Sequence, residues 1–385
     1  MSFQWSWLVV IICLGKMVTP MTKLTDRAWK GFDAFGPKGL FEIHTTNSSI
    51  DKKRLVLDGP EIVPYVTRSA DNNGVALFVS DKNYSYGFDL PDVITVGLDT
   101  QTAFYQPYKF VTGQNIQIIT GEHLTPLVIQ FLLPLLRTQM TAKFNWGGNG
   151  ATLSRMKRLR LMLPIDDNGQ PDYDFMSDYV RERLSQKRQS YLDYVHDRLA
   201  ELGTVQSLPA VNSVDWKPFM ISELFSKLVG GKGKGLVHLR QVDSGGIEYL
   251  GATNRNNGVL CRVALDDVSK PMVQSGNCIG FIKNGDGAAG YAIYKKEPFI
   301  STTDVIYGYA DWLNPYTGLF FVGSQDLIRP KYDHGYKRNA RHLRVDKVML
   351  PAMSNGTPDY KYMEQYVKNK MIQKYNNYLQ YLNVR

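Results

Sequence analysis

The sequence predicts an α+β protein: two mixed α/β globular domains, each followed by a long helix, with the two helices pairing as an antiparallel coiled coil. Three observations predict it. The chain has 385 residues, 43% of them hydrophobic and 21% charged, a globular composition with room for two domains of ~150 residues and a connector. Residues 163–195 can be laid on residues 350–382 without a gap, and 15 of the 33 positions are identical. Each copy then runs on without Pro or Gly, from Asp172 to Leu202 and from Asp359 to the end, with apolar residues at helical spacing.

The elements follow in order. An apolar run at 7–14 looks like the core of an export signal, but no Lys or Arg precedes it and it is too short to span a bilayer. We expect residues 1–21 to be a leader, an upstream extension with translation starting at Met17 or Met21. The first globular domain occupies 22–162. Short β-rich runs at 55–57, 75–79, 93–96 and 115–120 are separated by turn residues, and the apolar segment 124–140 reads as a buried helix. The first long helix belongs to 163–203. Its stripe is Tyr173, Met176, Val180, Leu184, Tyr191, Val195, Leu199 and Leu202, with Pro171 at its start and Gly203 at its stop.

A linker at 204–213, containing Pro209, allows the chain to turn back. The second domain spans 214–347, with β-rich runs at 259–263, 278–282, 291–294 and 304–309 and a helix near 313–327. The second long helix lies in 348–385, and its stripe is Tyr360, Met363, Val367, Met371, Tyr378 and Leu382. Weaker echoes tie the globular parts together: Trp29 with Trp216, and 65–75 with 249–259, at offsets of 184 to 189 residues. The chain is therefore one module of about 187 residues used twice.

Chemistry comes next. The formal charge is +9, which suits a polyanionic partner such as nucleic acid. Cys13, Cys261 and Cys278 form neither a C-x-x-C pair nor a disulfide framework, and no His lies in metal-ligand spacing, so no metal site is expected. Asn314-Pro315-Tyr316 lacks the second proline of an adenine-methylating box. Pro171-Asp172 and Pro358-Asp359 sit at helix starts, where an aspartate acts as a cap. The run GGKGKG at 230–235 lacks phosphate-loop spacing, and reads as a flexible basic loop near a phosphate backbone or simply an exposed turn. No serine sits in a G-x-S-x-G elbow.

What remains is binding. Arg155, Lys157, Arg158 and Arg160 precede the first long helix, and Lys337, Arg338, Arg341, Arg344 and Lys347 precede the second, matched places from which phosphates can be neutralised. The Asn-Asn-Gly turns are hairpin turns on one reading. On the other they present Arg68, Asn72 and Asn73, or Arg255, Asn256 and Asn257, to base edges. Lys283, Asn284 and Asp286 in a Gly-rich loop, and Asn145 with Trp146, are candidates of the same kind.

Two variable domains, each followed by a helix opened by L-P-x-x-x-N-G-x-P-D-Y at 163–173 and 350–360, resemble the specificity subunits of Type I restriction-modification systems, or of relatives whose methylase and nuclease are fused. YLGATNRNNGV at 249–259 and the Gly-rich stretch 276–304 resemble the second target-recognition domain of that family; the first domain departs from it, with VTRSADNNG and no Gly-Asp-Gly loop. The resemblance covers about 22–385. It implies two target-recognition domains, each reading half of a bipartite site on double-stranded DNA, with the helices setting the gap. It also implies a chain without catalysis or cofactor, while the cysteine usage points to a reducing, cytoplasmic location and no membrane partner is expected. Its partners would be DNA adenine methyltransferase subunits and a restriction endonuclease or translocase subunit, and S-adenosylmethionine, magnesium and ATP would enter only with them. The alternatives are a stand-alone DNA methyltransferase or nuclease, and an exported two-domain binding protein.

Overall fold

The computed structural model describes residues 21–144, 150–285, 287–333 and 335–383. The chain forms two compact units that divide between Tyr191 and Leu192.

The first unit runs through β1 (Trp29–Asp33), β2 (Glu42–Thr45), β3 (Val63–Val66), β4 (Val75–Val79), β5 (Val93–Gly97), β6 (Ala103–Gln106), β7 (Val111–Thr112), β8 (Ile116–Thr120), α1 (Pro126–Lys143), α2 (Leu153–Met156), β9 (Arg160–Pro164) and most of α3 (Tyr173–Leu202). A four-stranded sheet has the order β2-β8-β5-β6 and a three-stranded sheet the order β4-β3-β7. The expected runs at 75–79, 93–96 and 115–120 are β4, β5 and β8, and the apolar helix is α1, capped by the Thr125 hydroxyl at Val128 N (3.3 Å). Its Val128, Ile129, Leu132, Leu136 and Met140 build the core with Ile94, Val96 and Ile119. The run 55–57 is not a strand. The buried Asn83 side chain takes both polar groups of Val56, accepting from its N–H at 2.9 Å and donating to its carbonyl at 2.7 Å, so no ladder partner is needed.

The second unit takes the last third of α3 and continues through β10 (Trp216–Met220), α4 (Ile221–Leu224), β11 (Lys227–Gly230), β12 (Gln241–Val242), β13 (Ile247–Leu250), β14 (Val259–Val263), β15 (Cys278–Ile282), β16 (Ala292–Lys295), β17 (Phe299–Ser301), β18 (Val305–Tyr309), α5 (Pro315–Gln325), α6 (Ala340–Val345), β19 (Lys347–Pro351) and α7 (Tyr360–Asn383). Its sheets, β11-β18-β15-β16 and β12-β14-β13-β17, repeat the plan of the first unit with one added strand.

The repeat extends to register. Trp29 stands opposite Pro164 as Trp216 stands opposite Pro351, and each indole donates to a carbonyl five residues back at 2.8 Å. Tyr65 pairs in parallel with Val111, and Tyr249 with Ile300. The helix starts are capped alike: Asp172 accepts from Phe175 N and Asp359 from Tyr362 N, both at 2.9 Å. Pro171 and Pro358 lie just before these caps, bridged to Ile165 and Ala352, rather than in the first helical turn.

Not all of the apolar stripe serves pairing between helices. Met176 and Val180 are core residues of the first globular domain, and Met363 is one of the second. The capped turn folds the start of each helix back against its own domain, where Tyr179 meets Phe131 of α1 and Tyr366 meets Phe320 of α5. Further along, Val195 and Leu202 are buried, whereas Leu184 is 44% and Tyr378 43% exposed. On α7 Ile372 is buried, where Met371 was expected to lead. Tyr191, Val367 and Leu382 are half-buried. Within the second unit the Tyr194 and Tyr375 hydroxyls meet at 3.3 Å. Gln206 and Asn369 then exchange two hydrogen bonds, and Tyr362 donates to the Pro209 carbonyl at 3.1 Å. These contacts advance along one stretch as they retreat along the other.

Candidate nucleic-acid interface

Each Asn-Asn-Gly turn links two antiparallel strands, β3 to β4 or β13 to β14. Asn72, Asn73 and Gly74 take φ of 49°, 57° and 79°, and Asn256, Asn257 and Gly258 take 46°, 48° and 81°. Three successive left-handed residues favour Asn and Gly, whose side chains cost least there, which accounts for the composition. The second Asn is occupied: Asn73 donates to the Tyr105 carbonyl at 2.6 Å and Asn257 to that of Tyr294 at 3.0 Å, lashing the turn to the neighbouring sheet. For Asn73 and Asn257 the hairpin-turn reading therefore accounts for the side chain. Asn256 closes its own turn on the Val259 carbonyl, Asn72 and Arg255 are exposed, and Arg68 pairs with Asp99.

The basic segments divide in the same manner. Lys157 and Arg158 are exposed, Arg155 donates to the Gly150 carbonyl at 3.0 Å, and Arg160 pairs with Asp33 at 3.3 Å. In the second unit Lys337, Arg341, Arg344 and Lys347 are exposed, the middle two on α6, which Asn339 caps at His342 N (2.9 Å).

Arg338 is a correction. It is fully buried, its Nε donates to Asp346 at 2.9 Å, its Nη1 donates to Gln325 and to the Gly290 carbonyl (3.2 Å), and its guanidinium lies over Phe281 at 5.1 Å. A cation closed in this way cannot reach a phosphate. Burial pushes its pKa down, opposed by the Asp346 carboxylate. Tyr332 adds a hydroxyl to Asp346 at 2.7 Å, and Asp326, its pKa raised by burial, accepts from Ala292 N. Sequence reading missed Asp346. The signal was present, since it is the sole acid between Lys337 and Lys347.

The same network holds the Gly-rich loop. Arg338 N donates to the Lys283 carbonyl at 3.1 Å, and Gln325 donates to Gly290 at 3.1 Å, so both stems of the segment bearing Lys283 and Asn284 are tied. Lys283 and Asn284 are half-buried. Asn145, Trp146 and Asp286 lie outside the described residues.

Asn314-Pro315-Tyr316 is a helix cap: the Asn314 side chain accepts from Tyr316 N and Thr317 N at 2.9 and 3.0 Å. Among the described residues no group of three His, Cys, Asp or Glu is placed to hold a metal, and no helix is long and apolar enough to cross a membrane.

Fold and surface together define a duplicated protein, two copies of one α+β module with exposed cations at matched places. Residues 30–192 and 213–381 each match the family described as Type I restriction modification DNA specificity domain, and the chain belongs to that family, which is that of the specificity subunits of restriction-modification systems. It is similar to the specificity subunit of a Type II restriction enzyme of Heyndrickxia coagulans, 29% identical over 320 residues, covering 80% of this chain and 87% of that one. Among solved structures it is similar to the S subunit of a Type I restriction-modification system from M. genitalium, with a TM-score of 0.51, 16% identity and 94% of both chains covered. That likeness is one of fold.

Proposed function

We propose that this chain reads a bipartite DNA site, one globular domain on each half, and that it performs no catalysis itself. The observation that carries this is a duplication whose strand registers, caps and helices agree while the residues leading into the matched turns differ: half-buried Arg68 and Ser69 with exposed Ala70 and Asp71 in the first, half-buried Ala252 and Thr253 with exposed Asn254 and Arg255 in the second. Equal scaffolds with unequal loops are suited to two different half-sites.

The helices are the spacer. The Tyr194–Tyr375 contact between the helices, with the linker then running back along α7 at Gln206 and Pro209, supports an antiparallel pairing as a coiled coil. DNA adenine methyltransferase subunits dock on the helical parts, where the two copies agree best, and an endonuclease or translocase joins them. S-adenosylmethionine, magnesium and ATP belong to those partners, and the assembly works in the cytoplasm.

The test is to co-express the chain with its partners and map modified adenines on random-sequence DNA. Two short motifs at a fixed gap are expected, and a single uninterrupted motif would overturn the bipartite reading. Incubating the chain alone with DNA and a methyl donor is expected to yield no modified base.

A further inference from the structure

The run at 230–235 is neither a flexible loop nor a bare turn. Gly231 N donates to the Val305 carbonyl at 3.0 Å and Gly233 N to that of Ser301 at 2.8 Å; Lys232 N donates to the Gln274 side chain at 3.3 Å, and the Tyr249 hydroxyl to the Lys234 carbonyl at 2.8 Å. Four tethers hold four residues. A β-carbon on Gly231 would collide with the Thr302 carbonyl, and one on Gly233 with that of Ser301, although neither glycine has positive φ. The glycines are there for space. In an extended chain successive residues face opposite ways, so glycines set against the end of β17 put both intervening lysines on the other face, about 6.6 Å apart. Lys232 and Lys234 are exposed, and neither forms an ion pair among the described residues.

The first unit has the same device in different residues. The Tyr65 hydroxyl donates to the Ile50 carbonyl at 2.8 Å, and Ile50 N donates to Thr112 at 2.7 Å. Tyr65 and Tyr249 occupy the same register position beside a parallel strand, as do Thr112 and Ser301, so Ile50 takes the hydroxyl bond that Lys234 takes and the N–H bond that Gly233 makes. Directly after it comes the turn Lys52–Arg54, capped by Asp51 at Lys53 N (2.9 Å), with all three cations exposed. Cations thus gather near the tyrosine tether in both units, at it and two residues before it in one case and two to four residues after it in the other, a shift that hides the match from sequence alignment.

We propose that these two tethered segments, Lys232 with Lys234 and Lys52 with Lys53 and Arg54, are matched grips on the phosphate backbone of duplex DNA. The inference rests on the DNA-binding reading and adds where affinity independent of base sequence resides. Lysine binds phosphate as a point charge, and a backbone already fixed loses little entropy on contact.

The test measures how binding of the full chain to a mixed-sequence duplex falls with salt. Each phosphate contact contributes a slope of about −0.9 in log K against log salt. The pair K232Q/K234Q should flatten the slope by about two, and K52Q/K53Q/R54Q by up to about three, with thermal unfolding unchanged. Lys270→Gln, whose lysine pairs with Asp267 at 3.1 Å, should keep the wild-type slope. Wild-type binding that ignores salt would sink the DNA reading and the grips together. Salt-dependent wild-type binding with both multiple variants at the wild-type slope would remove the grips alone, and a loss confined to one unit would overturn their equivalence.

Discussion

Arg338 and Arg341 stand three residues apart in one basic segment and have opposite roles. Arg338 is enclosed, and its partner Asp346 is 1% exposed, so removing the cation leaves that buried carboxylate to Lys331 and Tyr332 and the Gly290 carbonyl to Gln325 alone. Arg338→Ala should therefore cost on the order of 3–5 kcal/mol in denaturant unfolding. Replacing both partners by apolar residues, Arg338→Met with Asp346→Leu, should recover part of that loss; equal loss in single and double variants would show that the pair is not coupled. Arg341 is exposed on α6 and has no such obligations. Arg341→Ala should leave unfolding within ~0.5 kcal/mol of wild type and weaken DNA binding evenly across sequences. From sequence these two arginines look alike, because burial depends on where Asp346 and Gln325 arrive, and neither position is fixed by local pattern.

At the scale of elements, what was legible is what repeats locally. The long helices, the caps at Asp172 and Asp359 and the helix α1 follow from spacing and composition within one short window. The pairs β1 with β9 and β10 with β19 were not legible, since Trp29 meets Pro164 and Trp216 meets Pro351 across more than a hundred residues. The stripe left open whether Met176, Val180 and Met363 pack on their own domain or on the other helix, because a stripe states which face is apolar and not what covers it. One joint between elements has a pH signature. Glu364 on α7 accepts from Lys368 at 2.6 Å and from the Asn314 side chain at 2.9 Å, and these contacts hold its pKa below the usual glutamate value. A carboxyl whose folded pKa is depressed adds stability that is present above its unfolded value and lost as pH falls through the folded one. The stability difference between wild type and Glu364→Gln should therefore be full at neutral pH and shrink on acidification below the ordinary carboxylate range. A difference independent of pH would show that the carboxylate charge is not what ties the cap of α5 to α7.

At the scale of the molecule, the proposed spacer can be tested without knowing the bases read. Residues 184–190 of α3 are exposed along their whole length, which makes this heptad the one whose removal disturbs least of either domain core. Removing seven residues shortens a helix by about 10.5 Å, close to three base pairs at 3.4 Å each. Deletion from α3 alone should put the part of α3 before the deleted heptad out of phase with its proposed partner helix, lowering binding to the two-part site. Deleting a heptad from α7 as well restores the phase, because seven residues return an apolar stripe to the same face. The doubly shortened chain should then recognise the same two half-sites with about three base pairs fewer between them, as read from the modified adenines of the assembled complex. Unaltered spacing in that variant would assign the gap to something other than the helices, and altered half-sites would show that the helices help to shape the reading surfaces.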